Sequence, residues 1–141
     1  MKMDFKVDGL REIEKALLEL EAKVSAKALR AAGRKAMKPV REDVINGAGF
    51  DPLATSKHMR DDIKMSARVA GRRSTKTALS VTVFPHKSHN HKAIAQEFGT
   101  ERQSAKPFLR PALDNNASLV ISIFTQEVRK AIEKINKKNG K

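Results

Sequence analysis

The sequence predicts an α+β domain, with a small antiparallel sheet packed against a long, Pro-kinked N-terminal helix and a C-terminal helix. Three observations carry this. Apolar residues recur at three- and four-residue steps in one long segment of each half of the chain. Two shorter segments between them alternate apolar and polar residues with the period of a strand. A stretch containing Gly, Arg and Ser separates those two segments and reads as a hairpin loop. At 141 residues the chain suits one domain, placed at 1–135, followed by a basic flexible tail at 136–141.

In chain order, Asp4-Phe5-Lys6-Val7 alternates and stops at Asp8-Gly9, which reads as a brief strand. From Leu10 the period becomes helical, with Leu10, Ile13, Leu17, Leu20, Val24, Ala28 and Ala31 on one face. The pattern runs to Asn46-Gly47-Ala48-Gly49, a C-cap and exit. A straight helix of that extent would span about 55 Å, too long for the domain. Pro39 removes a backbone donor and clashes with the preceding turn, so a kink or break is expected near Lys38-Pro39. Residues 47–58 read as a loop. Ile63, Met65, Ala67 and Val69 alternate with Lys64, Ser66 and Arg68, and 79–84 alternates in the same way, predicting two half-buried strands. Pro85 ends the second, and Pro85 to Lys92 reads as a polar, His-rich loop. A helix is expected from about Arg110 or Pro111, with Leu113, Ala117, Val120, Phe124, Val128, Ala131 and Ile135 along its stripe.

The composition narrows the function. With no cysteine, a disulfide scaffold, a Cys-based zinc site and a thiol nucleophile are excluded. No run approaches the roughly 18 apolar residues of a membrane span, so a soluble protein without a membrane partner is expected. Lys and Arg number 29 against 16 Asp and Glu, a net charge of +13 that points to a polyanionic neighbour. Lys23, Lys27, Arg30, Arg34, Lys38 and Arg41 stack on one helix face as a ridge with no interleaved acid. A second cluster around the hairpin includes Arg68, Arg72, Arg73 and Lys76. Each is a candidate contact for phosphates or an acidic partner, beside the ordinary reading of a solvated face. Neither a helix-turn-helix, a zinc-finger spacing nor an RNP-like aromatic motif is present, so sequence-specific nucleic-acid reading is not expected.

Chemistry finds little support. His86, His89 and His91 fall close together, but their spacing matches no metal motif, and they read as incidental loop residues. Asp61 and Asp62, as neighbours at the start of a strand, would point to opposite faces. GxSxG, P-loop and dinucleotide-binding patterns are missing, and no enzyme activity, metal or cofactor is expected.

One pair of segments is more specific. Glu97-Phe98-Gly99-Thr100 followed by Pro107-Phe108-Leu109-Arg110-Pro111-Ala112-Leu113 resembles the signature of a tail-component family of long-tailed bacteriophages, in the head–tail joining or tail-completion group. The order of strand, long helix, loop, hairpin and C-terminal helix is similar throughout. Family members usually carry Thr-Gly-x-Leu-Arg-Asp-Ser-Ile before the first hairpin strand. Here Ser56-Lys57-His58-Met59-Arg60-Asp61-Asp62-Ile63 keeps Arg60-Asp61 and Ile63 but lacks the glycine. The resemblance implies a virion protein, made in the host bacterial cytoplasm, that forms a ring, commonly six-fold. The ring would stack on the tail terminator or head connector around the DNA channel, with non-specific contact to channel DNA. It assigns the assembly interface to Glu97, Phe98, Gly99, Thr100, Pro107, Phe108, Leu109 and Arg110. In that reading Phe98, Phe108 and Leu109 anchor the turn, and Glu97 and Arg110 pair within or between subunits. The rival expectation is a free-standing basic DNA-binding protein.

Overall fold

The computed structural model describes residues 3–6, 22–69 and 79–138, of which 3–6 and 22–25 are described as backbone. The architecture is the expected α+β. Three strands, β1 (Met3–Lys6), β2 (Ile63–Val69) and β3 (Leu79–Pro85), form an antiparallel sheet in the order β1-β3-β2. Among the described residues four α-helices accompany it: α1 (Ala22–Ala36), α2 (Lys38–Gly47), α3 (Asn90–Phe98) and α4 (Leu109–Lys138). The predicted turns of helix before Ala22 and the hairpin loop after Val69 lie outside the described residues.

Register fixes which side chains meet the helices. Ile63 pairs with Pro85, Met65 with Val83, Ala67 with Val81 and Val69 with Leu79, while β1 sets Phe5 opposite Val81 from the other side. Because the side-chain period of a strand is two, this alignment puts Ile63, Ala67, Leu79, Val81 and Val83 into the core and leaves Lys64 and Arg68 exposed. In β2 the exposed Lys64 and Arg68 follow the alternation read from the sequence, whereas β3 departs from it, because Thr82 is buried between Val81 and Val83.

α1 crosses β2 and β3, and α4 runs beside α1 and α2. Gly33 sits where α1 meets the sheet. A Cβ there would lie 2.7 Å from Leu79 Cδ2 and 2.8 Å from Val81 Cγ2, so the helix comes this close because the side chain is missing. The core is aliphatic, drawing Leu29, Ala32 and Ala36 from α1, Val40 and Val44 from α2, and Leu109, Val120, Phe124 and Val128 from α4. Each large side chain buried this way is worth about 1.5–3 kcal/mol relative to exposure.

The break near Pro39 occurs as expected. α1 stops at Ala36, Met37 forms the turn, and α2 begins at Lys38 with proline in its first turn. Met37 N–H still reaches Gly33 O and Arg41 N–H reaches Met37 O, each at 3.0 Å, so helical hydrogen bonds persist on both sides of the turn although Pro39 contributes none. Met37 is almost fully buried at the bend, where its flexible thioether fills the corner.

Two expectations are corrected. Pro85 to Lys92 is not an unstructured loop: Lys87–His89 is a turn of 3-10 helix, and α3 starts at Asn90. This segment is ordered through contacts remote in sequence, described below. Residues 136–138, expected in a flexible tail, are helical, because α4 continues through Lys138; residues 139–141 lie outside the described residues. α4 itself begins at Leu109, one residue before the expected range.

Candidate functional site

The family-like signature folds into one corner built on α3. Its nine residues bury Ala93 and Glu97 inward, while His91, Ile94 and Phe98 point out at steps of three and four. At its C-terminus Gly99 takes φ +78° and ψ 173°, a conformation that side chains disfavour. A Cβ at Gly99 would also stand 2.8 Å from Ala105 N and 3.0 Å from Gln103 O. Glycine here lets the chain turn back along the helix without that strain and close approach. Thr100 and Gln103 then bridge, and Lys106 N–H donates to Gln96 O at 2.8 Å.

Glu97 is 6% exposed, and its carboxylate is bound entirely by backbone. Oε2 accepts the N–H groups of Phe108 at 2.8 Å and Leu109 at 3.0 Å, and Oε1 accepts that of Arg110 at 3.1 Å. These are three of the four donors that the start of α4 leaves without an intrahelical acceptor, and the fourth position is Pro111, which has no N–H. The negative carboxylate also faces the positive end of the helix dipole. The start of α4 is thus fully satisfied by one side chain from the preceding helix. This corrects the expected Glu97–Arg110 pairing: the partner of Glu97 is the Arg110 backbone, and the Arg110 side chain is exposed.

The other residues of the signature divide by burial. Phe108 and Leu109 are buried and anchor the corner as expected. Phe98 does not, because it is 63% exposed; Thr100, Pro107 and Arg110 are exposed with it.

Gln96, which the sequence reading passed over, latches the corner to α2. Its Nε2 donates to Gly47 O at 2.7 Å and to Lys106 O at 3.3 Å, and its Oε1 accepts Gly49 N–H at 2.8 Å. The expected Asn46–Gly49 exit from α2 is therefore capped from outside, with Ala48 extended rather than left-handed. A signal for the neighbouring Glu97 cap was present: α4 is entered through Pro107-Phe108, with no Ser, Thr, Asp or Asn to cap it locally.

A second polar cluster explains the order of residues 85–90. The Asp62 carboxylate, 8% exposed, lies 3.1 Å from Lys57 Nζ, 3.2 Å from Lys64 Nζ, 3.3 Å from His89 Nε2 and 3.9 Å from His86 Nδ1. His86 N–H also donates to Asp62 O at 2.9 Å. The Lys57 hydrogen bond, helped by Lys64 and opposed by burial, holds the Asp62 carboxyl down at about 2. His89 is buried rather than an incidental loop residue, and its Nδ1 has no hydrogen-bond partner among the described residues. Asp61 and Asp62 lie in a turn of 3-10 helix, Met59–Asp62, rather than at the start of a strand, and there Asp61 is exposed while Asp62 is buried. Among the described residues no group of three or more His, Asp or Glu is arranged to hold a metal ion. Nearby, Arg60 stacks over the Phe50 ring at 3.4 Å, and the His58 ring lies 4.3 Å from that of Phe50.

The basic ridge is only partly free. Lys27, Arg34 and Lys38 are exposed, while Arg30 is half-buried. Arg41 turns inward and donates to Ile63 O at 3.2 Å, tying α2 to the first residue of β2. The side chain of Lys23 is outside the description. Arg68 is exposed on β2, and Arg72, Arg73 and Lys76 lie outside the described residues. No protein-family profile, curated protein or solved structure matches this chain.

Proposed function

We propose that the chain is a structural, non-enzymatic protein of a tailed-bacteriophage virion, forming a ring that joins or completes the tail at the head–tail interface. The observation that carries this reading is the fate of its signature residues. Glu97, Gly99 and Phe108 hold a rigid corner, and that corner leaves Phe98, Thr100, Pro107 and Arg110 outside. An assembly protein needs such a surface: a fixed backbone presenting an aromatic and a cation to a neighbour. Ring formation requires in addition a head-to-tail contact between copies that closes. Neighbours in this reading are other copies of the chain, a tail terminator and a head connector, and the basic ridge makes non-specific contact with DNA in the channel.

The test is Arg110→Glu, which reverses an exposed charge while retaining the backbone N–H bound by Glu97. Joining of tails to filled heads is expected to fall, and unimpaired joining with unchanged oligomer size overturns the interface assignment. Labelled protein imaged in intact virions places it at the neck or refutes that position.

The exposure of Lys27, Arg34, Lys38 and Arg68 favours a second reading, a free-standing basic DNA-binding protein. It requires binding to duplex DNA by a monomer or dimer, with affinity falling steeply as salt rises.

A further inference from the structure

The outward side of the α3 corner combines features that point to one kind of partner. Ile94 and Phe98, at i and i+4, are 48% and 63% exposed. Beyond the Gly99 turn the exposed residues Arg102, Lys106 and Arg110 follow, with Glu101 the only exposed acid from residue 98 to 110. The backbone beneath them is fixed by the Gln96, Glu97 and Gly99 hydrogen bonds, so little ordering remains to oppose binding. An exposed aromatic on a rigid base with arginines beside it has the composition of an interface hot spot.

We propose that this face docks an acidic protein surface carrying an apolar socket for Phe98. The inference rests on the assembly reading only for where that partner is found, and it assigns the corner to a neighbouring acidic component rather than to a second copy. A symmetric contact would set Arg102, Lys106 and Arg110 against their own counterparts, and a head-to-tail contact would set them against another face of a chain carrying +13, so neither matches these cations as an acidic component does. Duplex DNA matches the cations but offers its phosphate backbone, not a socket, to Ile94 and Phe98. Two apolar side chains on a nine-residue helix are also too small an apolar face for stable lipid binding.

The test uses the full chain, labelled with ¹⁵N, at physiological salt. The probe is an amphipathic helical peptide with Glu on one face and Leu on the other. Comparison ligands are polyglutamate of equal length, a Lys/Leu peptide, duplex DNA and phosphatidylserine vesicles. Saturable binding of the Glu/Leu peptide is expected, with amide shifts centred on Ile94, Phe98 and residues 99–107. Phe98→Ser and the double variant Arg102→Glu/Lys106→Glu should each weaken it at least about tenfold, the loss typical of a hot spot. All three positions are exposed, and an unchanged melting temperature verifies the fold.

Equal affinity for polyglutamate, shifts centred on α1, or tighter Phe98-dependent binding of DNA or vesicles overturns the proposal. So does self-association abolished by Phe98→Ser. Negative-stain imaging of the same proteins separates this inference from the ring: rings without peptide binding refute the docking face alone, and peptide binding without rings refutes the ring alone.

Discussion

Gln96 and Glu97 are neighbours on α3, and each caps a different helix: Gln96 closes the C-terminal end of α2 and Glu97 the N-terminal end of α4. Two consecutive side chains on a helix diverge by about 100°, and this divergence lets one dipeptide reach both ends. α2 and α4 both pack into the core, so the dipeptide fixes how the two meet around Phe108.

Glu97→Ala is expected to destabilise the fold by about 2–4 kcal/mol, since it strands buried donors that a charged acceptor had satisfied. Glu97→Gln keeps one acceptor oxygen and should cost about half as much. Gln96→Ala should cost about 1 kcal/mol, because its partners lie nearer solvent. Urea unfolding of the three variants checks the order.

Gly99→Ala should cost about 1–3 kcal/mol, from its left-handed φ and the approach to Ala105 N. Thermal unfolding measures the loss. A melting temperature equal to that of the parent chain would show that the turn relaxes freely.

Asp62 makes stability depend on acid. Its folded carboxyl titrates at about 2, below the value near 3.9 of an unfolded chain, so the native state gains from ionisation above both values. That gain is complete by about pH 5 and is lost as pH falls toward 2. The parent chain should therefore lose more stability between pH 5 and pH 2 than Asp62→Asn does, as read from urea midpoints at several pH values.

Gly33→Leu should destabilise by more than about 2 kcal/mol by forcing α1 off Leu79 and Val81. Gly33→Ala sets a gain of about 1 kcal/mol in helix propensity against the same close approach. Combining Gly33→Ala with Leu79→Ala should be less damaging than the two separate effects added, since truncating Leu79 removes one of the two close approaches to the new methyl group and leaves that of Val81. A double-mutant cycle by urea unfolding measures this coupling.

The parts of the fold that were legible in the sequence are those governed by local periodicity. Val120, Phe124 and Val128 fall on a helical stripe and are buried as the stripe requires, and Ile63 and Ala67 follow the period of two. Pro39 marked the bend because its effect on the backbone is local. On α1 periodicity set the buried face one residue off, since Ala31 of the predicted stripe is exposed and Leu29, Ala32 and Ala36 are buried; what else it missed depends on partners distant in sequence. Asn90-His91-Lys92 carries no apolar pattern, yet it opens a helix because His86 and His89 dock on Asp62. Glu97 was identified with the right segment but given the wrong partner, since opposite side-chain charges are visible in a sequence and unsatisfied backbone donors are not. The ridge from Lys23 to Arg41 was read as one surface, but an ideal helical face does not continue through the turn at Met37, and Arg41 is drawn inward to Ile63 O.

The strand order β1-β3-β2 sets a timetable for synthesis. Phe5 faces Val81, so the first strand leaves the ribosome about seventy-five residues before its pairing site exists. β2 and β3 are neighbours in sequence and pair first, which leaves one side of the Val-rich β3 open until β1 returns. An open strand edge of this composition invites pairing with a second nascent chain. A bulky fusion placed before Met3 would prolong that interval, so its penalty would appear in the yield of soluble protein before it appeared in the stability of the finished fold.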